Sequence, residues 1–436
     1  MKNILVFGAG KSAAYLISYL ESLAKSKDYQ IVVADSNLQN VNEKLSSGTL
    51  VKAIQLDIHN EIERSTLFEK ADLVISLMPP TLHYIIALDC LKYKKHFLTA
   101  SYVDERIKNL FQQIKEAGVL FLFEMGLDPG IDHMSAMKLI HEIKERGGEI
   151  TSFVSHCGGL VAPESDNNPW HYKISWNPKN IVDAGKAGAV YLEKGKTEVI
   201  DYSDIFRNST DVFVEGLGVL CSYPNRDSLT YIDTYGLNNV STFKRTTLRY
   251  PIYCKAWQEI IELKLTDDTI SYDTTDTTVS ILFERHLKQT NLIYKYDSIK
   301  DDEIKNCLDY FFKENHLSLN AGKSSIASIL QQVLEDKLRL CLHDKDMIVM
   351  QHEITYRING VTKSVISNLI VEGENDKMTA MAKTVGLPLG IAAKLILEGK
   401  IKNTGLNIPI DATIYEPVLH ELESFYIKFK EYETEL

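Results

Sequence analysis

Cysteine is scarce in this chain: its 436 residues include six cysteines, and no two of them stand at a C-x-x-C spacing. The sequence also contains no H-E-x-x-H pattern. These absences exclude the common zinc motifs and the dithiol redox motif. We therefore predict no metal site, and free thiols in a reducing compartment.

Long hydrophobic runs and an excess of positive charge are missing as well. No apolar run reaches the roughly 20 residues that span a membrane, and the first residues resemble a strand rather than a signal peptide. Lysine and arginine number 48 against 59 acidic residues, which gives a net charge of −11. We predict a cytoplasmic protein that binds neither membranes nor nucleic acid.

Over the first 125 residues, short apolar runs alternate with segments of helical periodicity. Nearly continuous apolar strands between helices are typical of a parallel sheet that is covered on both faces. The sequence therefore predicts an α/β fold, a doubly wound Rossmann sheet. Its six strands are expected at residues 3–7, 31–34, 51–56, 73–77, 96–99 and 119–123.

The pattern changes after about residue 130. Residues 149–265 are rich in Thr, Tyr and Val and contain several turn residues, which indicates a mixed or antiparallel sheet with inserted helices. Residues 303–337 have helical periodicity, two strand patterns lie within residues 347–369, and residues 378–397 read as an apolar helix. This order indicates a chain that leaves its first domain and then returns to it.

A glycine-rich turn follows the first predicted strand. Gly8, Gly10 and Ala13 fit the G-x-G-x-x-G/A fingerprint, with alanine in the third place. In that motif the first glycine permits a tight turn, the second lets a pyrophosphate approach the backbone, and the third small residue keeps helix and strand close. We predict a dinucleotide site here; the alternative is a glycine-rich turn that binds nothing.

The end of the second predicted strand bears on the choice of cofactor. Asp35 ends that strand, where a carboxylate accepts hydrogen bonds from ribose hydroxyls and repels a 2′-phosphate. Neither Ser36 nor Asn37 is basic, so nothing beside Asp35 favours a 2′-phosphate. We therefore predict NAD rather than NADP. The alternative interpretation of Asp35 is a residue that caps a turn or helix.

Several short segments occur in a recognisable order from residue 8 to about residue 400. They are 99–102 (TASY), 126–133 (GLDPGIDH), 155–160 (SHCGGL), 168–170 (NPW), 172–176 (YKISW), 223–228 (YPNRDS), 247–250 (TLRY), 346–349 (DMIV) and 384–386 (TVG). With these segments the chain resembles the saccharopine dehydrogenase family, in particular its glutamate-forming branch. The resemblance covers nearly the whole chain.

The resemblance implies a fold of three parts and a homodimer. A Rossmann domain at 1–128 would be completed by about 385–436, a mixed α/β substrate domain at 129–270 by about 345–384, and a helical subdomain would be inserted at 271–344. The implied reaction belongs to lysine metabolism: glutamate and 2-aminoadipate 6-semialdehyde form an imine, which hydride reduces to saccharopine, or the reverse. Fungal members use NADP, so NADP is the alternative cofactor.

The resemblance also implies the site residues. The cofactor would contact Gly8, Gly10, Lys11, Ser12, Ala13, Asp35, Ser36, Asn37, Asp57, Ile58, Met78, Ala100, Ser101, Leu127, Asp128, Pro129 and Ser175. The small-molecule amino-acid substrate would contact Ser101, Tyr102, Asp128, Arg226, Thr247, Leu248 and Arg249.

These residue types suit saccharopine, a secondary amine with three carboxylates. Arg226 and Arg249 can each hold a carboxylate through two parallel hydrogen bonds. Asp128 follows the sixth predicted strand, at the carboxyl edge of the sheet, where it can act as the catalytic base with Tyr102 assisting. The alternatives are an arginine paired with a surface neighbour and an aspartate that only starts a turn.

Two other functions stay open on the sequence alone. Relatives in the same superfamily reduce other imines, including carboxynorspermidine precursors. The chain can also be a catalytically silent protein that only senses a dinucleotide, and turnover of an amino-acid substrate would separate this function from an enzyme.

Overall fold

The computed structural model describes residues 1–26, 28–313 and 315–436, and the chain forms two compact units. The first unit contains Met1–Arg146 and Lys377–Lys428. The second unit contains Gly147–Asp376 and Phe429–Leu436. Each unit is therefore built from two separate stretches of chain.

Strands and helices alternate in the first stretch of the first unit. They are β1 (Lys2–Phe7), α1 (Ala14–Lys25), β2 (Tyr29–Asp35), α2 (Leu38–Asn42), β3 (Lys52–Gln55), α3 (Glu61–Lys70), β4 (Leu73–Ser76), α4 (His83–Tyr93), β5 (His96–Thr99), α5 (Glu105–Lys108), α6 (Phe111–Ala117), β6 (Leu120–Leu122) and α7 (Ile131–Glu145).

The six strands form a parallel sheet in the order β3-β2-β1-β4-β5-β6. Leu5 of β1 pairs with Val32 of β2 on one side and with Val74 of β4 on the other. Leu5 and Val6 point to opposite faces of the sheet, yet they are only 2% and 0% exposed, so both faces are covered. All six predicted strands are present, and the prediction of a doubly wound sheet is confirmed.

The second unit begins with a long strand, which is followed by shorter strands and helices and then by two more long strands. They are β7 (Glu149–Val161), α8 (Pro178–Val182), β8 (Ala189–Glu193), β9 (Lys196–Ile200), β10 (Thr210–Val214), β11 (Gly218–Pro224), β12 (Arg226–Asp227), α9 (Thr230–Thr234), β13 (Thr242–Arg249), α10 (Pro251–Glu262), β14 (Ser271–Asp273), α11 (Val279–Gln289), α12 (Ile293–Asp297), α13 (Asp302–Phe312), β15 (Lys323–Ser325), α14 (Ile326–Lys337), β16 (Asp346–Ile358) and β17 (Val361–Glu372).

The main sheet of the second unit is mixed, as predicted. Its strands follow the order β10-β11-β13-β7-β16-β17, in which β7 is parallel to β13 and antiparallel to β16. The short strands β8, β9 and β12 branch from β13, and β14 pairs with β15 in a separate ribbon.

The helices α10–α14 share one hydrophobic core with this part of the chain. Trp170 stacks on Phe311 of α13 with ring centroids 4.4 Å apart, and it meets Trp257 of α10 edge to face. The same core includes Tyr223 of β11 and Leu330 of α14. The helical segment expected at 271–344 therefore exists, but it packs within the second unit instead of forming a unit of its own.

The chain then returns to the first unit and ends in the second. The remaining elements are α15 (Ala380–Leu397), β18 (Gly405–Asn407), α16 (Ala412–Glu423) and β19 (Lys430–Glu435). Strand β18 pairs in parallel with β6 as a seventh strand of the first sheet, and β19 pairs with β17 at the edge of the second.

The boundary between the units differs from the predicted one after residue 128. Helix α7 belongs to the first unit, and the Nδ1 atom of its His141 lies 2.8 Å from the hydroxyl of Tyr415 on α16. The unit boundary therefore falls after Arg146, and the return begins at Lys377 rather than at about residue 385.

Helix α15 confirms the apolar helix expected at 378–397, but it also has the length and composition of a membrane span, which the sequence was not expected to contain. In the described ranges it alone meets that test, with 18 residues, of which 72% are buried inside the protein. An added Cβ at its Gly386 would lie 2.8 Å from the backbone nitrogen of Leu16 in α1, so the two helices are in close contact. We interpret α15 as a core helix of the first unit.

Candidate active site

The glycine turn after β1 has the shape that a dinucleotide site requires. Gly8 has φ +96°, and a Cβ there would lie 3.0 Å from the carbonyl carbon of Leu77, so only glycine fits. At Gly10, an added Cβ would meet no atom of the described residues within 4 Å, which leaves the backbone open to a ligand. A single 3-10 turn, Lys11–Ala13, lies between Gly10 and α1, and its Ala13 N–H donates to the carbonyl oxygen of Gly10 at 3.1 Å.

Asp35 has backbone contacts that fit the alternative interpretation of a residue that caps a turn. Its Oδ2 accepts a hydrogen bond from the Ala9 N–H at 2.7 Å, and its Oδ1 accepts one from the Asn37 N–H at 2.8 Å. The carboxylate thus ties the glycine turn to the end of β2. Because both oxygens already serve the backbone, Asp35 is not evidence for contact with a ribose.

The remaining residues predicted to bind the cofactor in the first unit lie at the carboxyl ends of its parallel strands. Asn37 caps α2 by accepting from the Gln39 N–H, and Asp57 accepts from the His59 N–H after β3. Of the others, Ile58, Leu127 and Pro129 are buried, Met78, Ala100, Ser101 and Asp128 are half-buried, and Ser36 is exposed.

Tyr102 and Asp128, predicted to act together, are in contact. The Tyr102 hydroxyl donates to Asp128 Oδ1 at 3.2 Å, and both side chains are half-buried. The turn that carries Asp128 is tightly built: a Cβ at Gly130, which has φ +147°, would lie 2.1 Å from the carbonyl oxygen of Gly126. The Gly130 N–H donates to buried Asp132 at 2.6 Å, which holds the turn in place.

A buried acid–histidine pair supports the same turn. His133 of α7 lies 2.8 Å from Glu124 through its Nε2, and both side chains are buried. The Glu124 N–H donates to the carbonyl oxygen of Ser101 at 3.0 Å. The pair therefore links the segment after β5 to the segment after β6.

Sequence reasoning missed a second polar cluster in the first unit, centred on His83. Its Nδ1 lies 3.0 Å from the Ser76 hydroxyl, and its Nε2 lies 2.8 Å from the Ser101 hydroxyl and 3.3 Å from that of Thr99. Ser76 and Thr99 are the last residues of β4 and β5. The sequence signal for this cluster was the presence of polar residues at the ends of two adjacent predicted strands.

Arg249 is the most unusual cation of the second unit. It is 4% exposed, and its guanidinium lies over the rings of Tyr172 and Tyr253 at 5.0 and 5.4 Å. Its Nη1 donates to the carbonyl oxygen of Leu248 at 2.7 Å and to that of Gly159 at 3.4 Å. In the part of the chain that the structure describes, it forms no ion pair and its Nε has no partner. A buried, unpaired guanidinium is costly, so a bound carboxylate would stabilise it.

The other residues predicted for this unit differ in accessibility. Arg226 begins β12 with φ +52° and is exposed, whereas Leu248 is buried and Thr247 half-buried on β13. Thr247 is paired with Tyr223 of β11. Ser175, predicted to contact the cofactor, belongs to the second unit and is 3% exposed.

The described ranges contain no group of three or more His, Cys, Asp or Glu side chains arranged to hold a metal ion. The first unit thus carries a glycine turn and a carboxylate–phenol pair, and the second unit carries a buried guanidinium.

Two family models together match nearly the whole chain. The family model described as the saccharopine dehydrogenase NADP binding domain matches residues 4–122. The model described as the saccharopine dehydrogenase C-terminal domain matches residues 126–427.

Two fungal proteins named saccharopine dehydrogenase (NADP(+), L-glutamate-forming) are similar over their whole length. The protein from Saccharomyces cerevisiae is 33% identical over 98% of this chain and 97% of its own, and that from Schizosaccharomyces pombe is 31% identical over 99% of each. The solved apo structure of saccharopine dehydrogenase (L-Glu forming) from Saccharomyces cerevisiae matches with a TM-score of 0.88 at 30% identity and covers 100% of both chains.

A longer relative matches as well. The mitochondrial alpha-aminoadipic semialdehyde synthase of Mus musculus is 33% identical over 99% of this chain but only 48% of its own length. The chain thus spans about half the length of that relative.

The prediction of NAD as the cofactor is wrong. The matching model of the first unit is an NADP binding domain, and both fungal relatives are named for NADP(+). The physical reason for the error is that Asp35 holds the backbone of the turn, so a carboxylate at this position does not report on the ribose.

The two family models cover nearly all of the chain, and the yeast relatives and the yeast structure match it from end to end. The fold class expected from the resemblance, a Rossmann sheet together with a mixed sheet, is the one observed. This chain therefore belongs to the saccharopine dehydrogenase family.

Proposed function

We propose that this chain is an NADP(H)-dependent dehydrogenase that interconverts saccharopine with L-glutamate and 2-aminoadipate 6-semialdehyde through an imine. The names of the full-length fungal relatives support the substrate, the product and the cofactor. The name of the mouse relative supports the semialdehyde. The open backbone at Gly10 supports the binding of a dinucleotide phosphate.

The observation that carries the proposal is the buried guanidinium of Arg249. It forms no ion pair within the described residues, and two tyrosine rings hold it in place. Saccharopine carries three carboxylates, and a planar guanidinium can bind one of them through two parallel hydrogen bonds. In this proposal Arg249 binds a substrate carboxylate, and the exposed Arg226 contributes a second positive charge.

Asp128 and Tyr102 supply the proton chemistry in this proposal. NADP+, held at the glycine turn of Gly8 and Gly10, would supply the acceptor for the hydride that leaves the carbon beside the substrate nitrogen. The secondary ammonium must first lose a proton so that its lone pair can form the imine, and the imine must then add water. Asp128 takes the proton from nitrogen, and the 3.2 Å contact with the Tyr102 hydroxyl orients the carboxylate.

Saccharopine oxidation tests the proposal. The purified protein should oxidise saccharopine and reduce NADP+. Its kcat/KM should be higher with NADP+ than with NAD+, and higher for saccharopine than for carboxynorspermidine. If the protein oxidises saccharopine with neither NADP+ nor NAD+, the proposed function is wrong. A protein that binds NADPH tightly but oxidises no amino acid would instead be a dinucleotide sensor.

Replacing Arg249 tests its role separately. Arg249→Ala should lower kcat/KM for saccharopine by about 30-fold or more, because one carboxylate loses a bidentate partner in a buried position. Arg249→Lys should also be impaired, since lysine lacks the planar fork. Arg207→Ala is the control: this exposed arginine already pairs with Asp204 and Glu262. Normal saccharopine kinetics in both Arg249 variants would exclude the carboxylate contact.

The homodimer and the cytoplasmic location belong to the same proposal. Exposed apolar side chains support a contact between two copies: Ile366 and Ile370 on β17 and Tyr432 on β19 are 38%, 36% and 43% exposed, and Ile366 and Tyr432 are paired across the strands. Sedimentation would measure the mass in solution. Because the mouse relative is named mitochondrial, fractionation of cells is needed to test the compartment.

A further inference from the structure

His83 is a buried histidine whose two ring nitrogens both have hydroxyl partners. It opens α4 directly after the 3-10 turn Pro80–Leu82, and it is 2% exposed. The ring bridges Ser76 on one side and Ser101 on the other, at 3.0 and 2.8 Å. It therefore connects the ends of two neighbouring strands.

The cluster of His83, Ser76, Thr99 and Ser101 lies at the carboxyl ends of two neighbouring strands. Ser76 and Thr99 are paired in register as the last residues of β4 and β5, and Ser101 follows two residues later. In a doubly wound sheet, the carboxyl ends of the strands are where a nicotinamide cofactor binds. Ser101 is half-buried, so its hydroxyl can reach both His83 and a ligand.

The backbone of Ser101 is held by other groups, which leaves its side chain to His83. Its N–H donates to the Thr99 hydroxyl at 3.3 Å, and its carbonyl oxygen accepts from the Glu124 N–H at 3.0 Å. Ser101 is followed by Tyr102, whose hydroxyl reaches Asp128.

The charge state of His83 limits what it can do. Burial lowers the pKa of the imidazole to about 4, so the ring is neutral near pH 7 and donates through one nitrogen while it accepts through the other. In either tautomer, Nε2 makes a defined hydrogen bond with the Ser101 hydroxyl. A ring that does not titrate near neutral pH is suited to orienting this group and not to exchanging protons with a substrate.

We propose that His83 is a positioning residue, which fixes the Ser101 hydroxyl in one orientation toward the nicotinamide end of the bound cofactor. This inference rests on the proposed function, because it assigns Ser101 to the NADP(H) site. His83 itself touches neither cofactor nor substrate, and it acts through the 2.8 Å bond from Nε2.

The two conservative replacements of histidine separate this role from packing. The amide of glutamine can take the place of Nε2, whereas the amide of asparagine can take only that of Nδ1. His83→Gln should therefore keep kcat within about threefold of wild type, while His83→Asn should lose about 10- to 100-fold. NADPH affinity, measured by fluorescence titration, should fall in the asparagine variant and stay near wild type in the glutamine variant.

Two further variants keep the inference falsifiable. His96→Asn is the matched control. His96 begins β5, at the opposite end from Thr99, and its Nδ1 accepts a hydrogen bond from the Leu120 N–H. This variant should leave kcat unchanged. Ser101→Ala should lower kcat, and adding His83→Asn to it should cause little further loss, because the two residues act as one unit.

The outcomes distinguish the inference from the proposed function. Equal losses in the glutamine and asparagine variants, or additive losses in the double variant, would overturn the role of His83 while wild-type saccharopine oxidation still stands. A wild-type protein that does not oxidise saccharopine overturns the proposed function, and NADPH titration of the same variants then still tests the effect on cofactor binding.

Discussion

At the scale of single residues, the proposed chemistry depends on one contact, between the Tyr102 hydroxyl and Asp128. The sequence could place Asp128 after a strand and before a Pro-Gly turn, and the resemblance added Tyr102. The sequence could not show which buried residues hold Asp128 and Tyr102 in place. Buried Glu124, Asp132 and His133 come together only after α7 has packed, and no spacing in the sequence encodes that contact.

Replacing Asp128 with asparagine should separate catalysis from binding. Asp128→Asn keeps the size of the side chain but cannot accept a proton, so kcat should fall by about 10²- to 10⁴-fold and one limb of the pH profile should disappear. Tyr102→Phe removes the 3.2 Å hydrogen bond to Asp128 and should cost less. If KM rises while kcat and both limbs persist, Asp128 merely binds the substrate ammonium and is not the base.

His83 should make stability depend on pH on the acidic side of neutrality. Burial lowers its pKa from 6.5 to about 4, with nearby Asp104 opposing the shift and Arg106 adding to it. Between about pH 4 and pH 6.5, the unfolded chain therefore binds a proton at this histidine that the folded chain does not bind. The free energy of unfolding falls as the pH drops below about 6.5. At pH 4 the loss from this group should reach about 3 kcal/mol.

Denaturation with urea at pH 7 and pH 4 would measure this loss. The comparison is between wild type and His83→Gln, because other groups titrate in both proteins and cancel. The glutamine variant should lose about 3 kcal/mol less than wild type on acidification. An equal loss in the two proteins would mean that the buried ring is already protonated or that it is hydrated.

At the scale of elements, the six strands of the first sheet were predictable because each is a continuous apolar run between helical patterns. Strand β18, with three residues, was not, since Gly405–Asn407 has no apolar pattern and becomes a strand only by pairing with β6. Helix α15 was predictable as a helix but not as the element that packs on α1.

Gly386 should be needed for the packing of α15 on α1. A Cβ at this position would lie 2.8 Å from the backbone nitrogen of Leu16 and 3.3 Å from the carbonyl oxygen of Ser12. Backbone atoms cannot move away cheaply, so Gly386→Ala should lower the free energy of unfolding by about 1–2 kcal/mol despite alanine's higher helix propensity. Gly10→Ala is the control: its Cβ meets nothing, so it should weaken NADPH binding and leave stability unchanged. A Gly386→Ala protein as stable as wild type would contradict the packing.

At the scale of the whole molecule, the sequence predicted the departure from the first domain and the return to it, but not the points where they occur. Helix α7 lies with the first unit because of its contact with α16, and the helices after residue 271 lie with the second because they share its aromatic core. Both assignments depend on partners more than 100 residues away in sequence, which local periodicity cannot reveal.

The interleaving of the two units has a consequence for how the protein is made. Strand β18 and helix α15 complete the first unit, yet a ribosome reaches them only after it has made all of Gly147–Asp376. At about 5–20 residues per second, the nascent first unit waits on the order of ten seconds or more with the edge of β6 uncovered. During that interval its apolar surface is a substrate for chaperones, and slower translation of the second unit would lengthen the exposure.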